Sequence, residues 1–415
     1  MNPNSLSLEQ DTSDPVDDRL LEECLKQSSQ KRNIYKIEGR QSRKLISDGD
    51  FYLSSTWQET VQAKNNQGDG WQKCLIVKTL PQGEQARSFV ETNGWFKKEI
   101  MMYTEVLPKF DALLNNTENA GEPLWPKYIG MLPYNTLILE DLTAKGYRKA
   151  NRHLGLDLEH SLLAFKGIAK FHALSLALKD ELSLQSKEFV RFGAKYENRK
   201  DNFMDKLIFL SITMRNEWEP KWHRLADHLA NNFQEIVLRF QETCERKDHN
   251  FNVLNHGDPW TSNMLFKYSE FNGKVVGIRF IDFQLRHYGS FALDLQYLLN
   301  TSVHVDVLKH HSDKLLAAYH ESLTITARRM HKDNKNLTIP SLADIAKEMK
   351  ASWFFGLIMS IFLLDMILVE PAEAQNLDTI IQNKWINRKP LSKPYHDRMQ
   401  AILEPYLNNG DLTCL

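Results

Sequence analysis

Cysteine is scarce in this chain: four in 415 residues, at Cys24, Cys74, Cys244 and Cys414. No two are close enough for a CxxC or Cys/His cluster, which excludes a disulfide framework and a structural zinc from the expectations and fits a reducing, cytoplasmic compartment. Net charge is also missing. Fifty-two Lys and Arg balance 53 Asp and Glu to leave -1, so no strong field draws the protein onto nucleic acid or an anionic membrane. The opening MNPNSLSLEQDTSDPVDD lacks the apolar core of a signal peptide and the Arg-rich face of a transit peptide. There is no internal repeat and no long low-complexity tract. The single long apolar run, FFGLIMSIFLLDMILV over 354–369, carries Asp365 and is about the minimum length for a span, so it reads as a buried helix with no membrane span expected.

The composition that remains, 42% hydrophobic and 25% charged, is that of a soluble globular protein, and the length predicts two lobes. Residues 1–45 read as an N-terminal extension with a helix around Asp17–Lys26. From Gly49 the pattern turns to strands: FYLSSTWQETVQAK, a turn at NNQGDG, then WQKCLIVKTLP, a β-hairpin. One long helix is predicted in SFVETNGWFKKEIMMYTEVLPKF, with Phe96, Ile100, Tyr103 and Leu107 on one face and Pro108 as its stop. Two strands follow in WPKYIGML and TLILEDL. Beyond 142 the chain reads as helical to the end, apart from strand-like runs around 252–283. The expected domains are therefore an extension over 1–45, a small β-rich lobe over 46–142 and a helical lobe over 143–415.

The chemistry concentrates in LNHGDPWTSNMLF, residues 254–266, a polar loop between apolar runs. Asp258 and Asn263 stand five apart, the spacing of the catalytic loop H-R-D-x-x-x-x-N, with Gly257 where that motif has arginine. In such a loop the aspartate orients a hydroxyl and accepts its proton, and the asparagine holds a magnesium ion. Asp282 in IDFQ follows at the end of the apolar strand GIRFI, where a carboxylate can bind the metal that bridges nucleotide phosphates. Gln284 replaces the glycine of a DFG triplet. Upstream, Lys78 ends CLIVK and would pair with the phosphates of ATP. Glu99 would hold that lysine, with Glu91 and Glu105 as rivals about two turns away. Glu140, Asp141 and Leu142 in LILEDL would read the adenine edge through their backbone. Ser54 and Ser55, with Gly49, occupy the place of a phosphate-covering loop that lacks the usual glycines.

The order strand-Lys, helix-Glu, strand–hinge, helices, HGD-x₄-N, strand-Asp-Phe predicts an α+β, two-lobed protein-kinase-like fold, with a small antiparallel N-lobe sheet and a mostly helical C-lobe. The segments CLIVK, KEIMMYTEVLP, LILEDL, AKFHALSLAL, LNHGDPWTSNMLF and IDFQ…DLQYLL resemble the arthropod ecdysteroid kinase-like family. That family has a choline-kinase-like domain and is similar to aminoglycoside phosphotransferases. The resemblance spans roughly 45–330. It implies transfer of phosphate, with ATP and Mg2+, to an alcohol on a small molecule, and in characterised members to an ecdysteroid hydroxyl.

Eleven residues separate Asp282 from Asp294, leaving no room for a peptide-docking segment, so a small-molecule acceptor is expected. Asp294 reads either as a helix cap or as a brace behind the catalytic loop. His256 is expected to bond backbone and orient Asp258 rather than move protons, and His172 to be a satisfied core group. Trp260 reads equally as core or as an apolar wall for the acceptor. Phe203, Met204, Phe209, Met214, Trp218 and Trp222 form a stripe that reads more readily as core than as pocket lining. Trp218, Glu219 and Trp222 keep a cationic acceptor open, hence a choline- or ethanolamine-type kinase. Gln284 and the glycine-poor loop keep open a nucleotide-binding pseudokinase that acts through a partner.

Overall fold

In the computed structural model the chain is described over residues 15–28, 36–45, 53–64, 68–118, 121–133, 135–179, 200–245, 251–330, 337–383 and 391–408. It forms two compact units, one drawn from residues 1–46, 54–80 and 127–141, the other from 47–53, 81–126 and 142–415. Gly49 and Cys414 lie outside the described residues, as does the side chain of Phe203.

The first unit is a five-stranded antiparallel sheet covered by one helix. Its strands are β1 (Lys36–Lys44), β2 (Ser55–Lys64), β3 (Gly70–Thr79), β4 (Tyr128–Leu132) and β5 (Thr136–Glu140), in the order β1-β2-β3-β5-β4. The predicted hairpin is β2–β3, paired in register from Ser55↔Thr79 to Lys64↔Gly70. Helix α1 (Asp18–Ser28) lays Leu21, Cys24 and Leu25 on a core of Trp57, Val61, Leu75, Val77, Ile129 and Ile138. Strand β1 is not foreseen by the sequence, because KIEGRQSRK shows no apolar alternation. Polar contacts replace it: Arg40 Nε and Ser42 Oγ reach the fully buried Glu59 carboxylate at 2.8 and 2.7 Å.

In the second unit the single long helix expected near 88–110 is instead a chain of segments. Helix α2 (Glu84–Asn93) ends at Gly94, whose φ of 64° is left-handed, and α3 (Trp95–Met101) starts from it. A π-helical turn over Met102–Val106 leads into α4 (Leu107–Asn115), where Pro108 sits in the first turn rather than stopping the helix. Then come β6 (Tyr147–Lys149), α5 (Leu158–Leu176), α6 (Lys200–Glu217), α7 (His223–Asn231), α8 (Phe233–Glu245), β7 (Asn252–Asn255), β8 (Met264–Tyr268), β9 (Val275–Phe280) and β10 (His287–Ser290). The remainder is helical: α9 (Ala292–Thr301), α10 (Val305–Met330), α11 (Leu342–Ala351), α12 (Trp353–Ile367), α13 (Leu377–Gln382) and α14 (Lys393–Asn408). Strands β6-β8-β9 form one antiparallel sheet and β7-β10 a second, smaller one.

Helix α12 contains the apolar run and is buried around almost its whole circumference, packed against α9 and facing α6, α8 and α14. Its one charge, Asp365, takes a 2.6 Å bond from the equally buried Lys206 of α6, so the carboxylate is compensated where an unpaired one would be prohibitive. Among the described residues no single helix is long and apolar enough to cross a membrane; α11 and α12 pass that test only as a pair bent by 53°. The architecture is α+β and consistent with the kinase-like fold.

Candidate active site

Strand β7 delivers the chain into the HGD loop, and the loop turns back through a 3₁₀ turn over Thr261–Asn263 into β8. Gly257 has a φ of +85°, and a Cβ there would lie 2.0 Å from the Leu285 carbonyl oxygen. Both facts demand glycine, which explains why arginine is missing from the motif. The loop is held from behind by Asp294. Its carboxylate accepts the His256 N–H at 2.7 Å and the Gly257 N–H at 2.9 Å, and is bonded to His172 Nε2 at 3.1 Å. Helix α9 has no side-chain cap, so of the two readings of Asp294 the geometry shows the brace. Burial pushes its carboxyl up, but the His172 hydrogen bond and the three nearby histidines outweigh this and hold it below the usual carboxylate value. His172 is a core histidine, yet it belongs to this assembly: its Nδ1 meets the Tyr319 hydroxyl at 2.9 Å.

His256 has both ring nitrogens engaged. Nε2 donates to the Ile281 carbonyl at 3.1 Å and Nδ1 accepts the Asp258 N–H at 3.3 Å. Burial lowers its pKa, so the ring is a neutral link between the loop and the Asp282 segment.

Asp258 is half-buried, and both its oxygens have donors. Tyr297 Oη–H donates to Oδ1 at 2.5 Å and Asn263 Nδ2–H to Oδ2 at 2.8 Å. The second Nδ2–H of Asn263 goes to the Asp258 carbonyl at 3.0 Å, which fixes the amide with Oδ1 turned to the other side. Desolvation raises the Asp258 carboxyl to about 7; the Tyr297 and Asn263 bonds oppose the shift, and the Asp282 and Asp294 charges add to it.

Asp282 lies just past β9, held in place by the Ile281 N–H bond to the Asn263 carbonyl at 3.0 Å. It is buried and is the one non-glycine residue with positive φ among the described residues, at φ 71° and ψ 65°. A left-handed aspartate is costly, and such strain gathers at functional positions. Phe283 beside it stacks on Phe171 at 5.7 Å and lies 4.7 Å from the His256 ring and 5.9 Å from Tyr103.

Arg286 Nε donates to the Lys98 carbonyl at 3.0 Å, tying the segment after Asp282 to α3, the helix that carries Glu99. Glu99 is fully buried, whereas its rivals are exposed and Glu91 is paired with Arg87 on the surface. Tyr103, one turn on, is pushed well above the ordinary phenol value by burial first, with the Glu99 and Asp282 charges adding to it.

In the first unit, Lys78 is buried near the end of β3, opposite Thr56 on one side and Leu137 on the other. Ser54 is buried and Ser55 opens β2, opposite Thr79. The Asp141 carboxylate accepts Gln58 Nε2–H at 2.7 Å. Along the stretch expected to meet adenine, the Glu140 and Asp141 N–H groups are spent on the Lys127 and Cys74 carbonyls. Leu142, the first residue of the second unit, accepts from Lys145 and Tyr147 at its carbonyl, while its own N–H has no partner among the described residues.

Trp260 is buried in the large apolar cluster with Leu293, Tyr297 and the α12 side chains, so it is core. Trp218 and Trp222 pack edge to face at 5.1 Å inside the same cluster, and the Trp218 indole N–H is used by His396 Nδ1 at 2.8 Å. Glu219 is exposed and paired with Lys221. These three residues do not assemble a box for a cation.

A family model described as the ecdysteroid kinase-like family matches residues 48–332. A comparison with curated proteins returned no match.

Proposed function

Because the chain belongs to the ecdysteroid kinase-like family, whose members are kinase-like toward small molecules, we propose that it transfers the γ-phosphoryl group of ATP to an alcohol hydroxyl, on an ecdysteroid or a similar apolar alcohol. The observation that carries the reading is the Asp258–Asn263 couple. One amide fixes the aspartate from two directions, and Asp294 clamps the loop that bears it.

Asp258 aligns the acceptor hydroxyl. As the acceptor oxygen bonds to the γ-phosphorus, the bond from that phosphorus to the bridging oxygen breaks, its electron pair leaves with ADP, and the acceptor proton passes to the Asp258 carboxylate. A base raised to about 7 suits that transfer near neutral pH. The donor set fits Mg2+. Asn263 Oδ1 and an Asp282 oxygen would be the two hard ligands that hold it, alongside the nucleotide. Among the described residues no group of three or more His, Cys, Asp or Glu could hold a metal by itself. When bound, the ion offsets the charge that develops on the phosphate oxygens. Lys78 takes a share of the same charge, and Ser54 and Ser55, at the start of β2, are the groups proposed to cover the phosphates. The Leu142 N–H is the donor for the adenine edge, beside Glu140 and Asp141. Most of the acceleration is positioning and charge stabilisation.

The core packing of Trp218 and Trp222 removes the one cation box suggested for choline or ethanolamine, and the apolar acceptor is carried by the family match. Cys24, Cys74 and Cys244 are free thiols, in keeping with a proposed cytoplasmic location. The test is ATP consumption with magnesium against ecdysteroids, other apolar alcohols, choline and ethanolamine, with Asp258→Ala as control. Turnover on an ecdysteroid supports the reading; turnover on choline keeps the chemistry and overturns the acceptor. ATP binding with no turnover on any acceptor overturns the enzyme and leaves a pseudokinase.

A further inference from the structure

Helix α9 reaches the catalytic loop twice from one face. Asp294 bonds the loop backbone, and Tyr297, one turn along at i+3, bonds the Asp258 side chain. Nothing in the motif order calls for a tyrosine there. We propose that Tyr297 is a positioning residue for phosphoryl transfer: its hydroxyl holds Asp258 Oδ1, so that the carboxylate keeps one orientation toward the acceptor alcohol. This rests on the reading of Asp258 as the base.

Three observations support it. First, the O–H···O contact of 2.5 Å is at the short end for a hydroxyl on a carboxylate. Second, the Tyr297 ring is buried, 4% exposed, among the side chains of the large cluster that includes Trp260 and α12, so the donor is mounted on a rigid wall. Third, burial and the adjacent Asp258 charge push the phenol well above its ordinary range, so it stays a donor and does not itself take the proton. With Asn263 on Oδ2, the carboxylate is gripped at both oxygens, and each keeps a second lone pair for the acceptor. Without the tyrosine, Asn263 alone would restrain it, and the side chain could rotate about χ2.

The test uses the full chain with magnesium, ATP and the alcohol that the acceptor panel identifies, or water as acceptor where no alcohol is turned over. Wild type, Asp258→Ala, Tyr297→Phe and the double variant are compared. Tyr297→Phe is expected to lower kcat about 10- to 100-fold, the scale of a lost hydrogen bond to a charged group. The ATP KM and the thermal shift by Mg-ATP should stay within about twofold of wild type, a split that general damage to the core would not give. In the Asp258→Ala background the same change should have no further effect, since its target is gone. A Tyr297→Phe kcat within about twofold of wild type overturns the inference, as does an equal further loss in the Asp258→Ala background. Asp258→Ala that retains turnover, or a wild type with none, overturns the assignment of the base and this inference with it. Tyr297→Met, which refills the volume with a flexible apolar chain, carries the same comparison should the phenylalanine variant fail to fold.

Discussion

Asp294→Asn is the substitution that most directly probes how the loop is held. The side chain keeps its shape but exchanges one acceptor oxygen for a donor. In the native arrangement Oδ2 serves the His256 N–H and His172 Nε2, while Oδ1 serves the Gly257 N–H. If the amide oxygen takes the first place, its NH₂ faces the Gly257 N–H, and that buried donor is orphaned at a cost of about 1–3 kcal/mol. The two surviving bonds lose their charge assistance, about 1 kcal/mol each. The sum, about 3–5 kcal/mol, matches what breaking a buried charged network costs and is a large share of a domain's stability. At about 2–4 °C per kcal/mol for a domain of this size, Tm should fall by about 6–20 °C. Circular dichroism or dye-based melting reads this directly, beside the turnover assay, in which kcat should also drop as the loop loosens. The sign with pH follows from the depressed carboxyl of Asp294. Its contribution is complete above the ordinary carboxylate value of about 4 and disappears as pH falls through the lower folded value, so the gap between the two proteins should close in acid. A Tm within about 2 °C of wild type at neutral pH would refute the reasoning, because no rearrangement of an amide can satisfy all three donors.

Gly257→Ala should abolish most turnover, since any Cβ meets the Leu285 carbonyl at 2.0 Å; mass-action binding of Mg-ATP, read by calorimetry, should persist. Lys206→Met should destabilise the protein by about 3–5 kcal/mol by leaving Asp365 buried and unpaired, and Asp365→Leu added to it should restore most of the loss in denaturant unfolding. Leu142→Pro, compatible with the native φ of −72°, removes the N–H and part of the side chain, and should weaken ATP about 10-fold in a binding titration.

Much of the architecture was legible because it is written locally. The β2–β3 hairpin follows from period-2 runs around a turn, and Asp258 and Asn263 share a short loop whose spacing carries its own geometry. Glu99 differs from Glu91 and Glu105 in being buried, as its place beside the apolar face suggested. Features fixed by tertiary partners were harder to see. Strand β1 has no apolar period because its inward residues are Arg40 and Ser42, bonded to Glu59. The break at Gly94 is visible as a glycine, but the π turn after it has no sequence signal. Tyr297 could have been found by extending the face of Asp294 by one helical turn, yet a tyrosine in an apolar helix reads as packing until its hydroxyl is seen on a carboxylate. In the Trp218–Glu219–Trp222 triplet, sequence proximity left a cation box open, whereas the two indoles share the core and Glu219 turns to the surface.

The family match ends at residue 332, but the apolar cluster does not. Helices α12 and α14 lie beyond that boundary, and α12 is packed directly on α9, the helix that holds the catalytic loop. A fragment trimmed to the matched segment would uncover the back of α9, remove the partner of Lys206 and the acceptor for the Trp218 indole, and leave a wide greasy surface facing water. Such a fragment should aggregate or be digested quickly, and would be a poor starting point for crystallisation or inhibitor screening. The limit of sequence similarity is therefore not a place where this polypeptide can be cut.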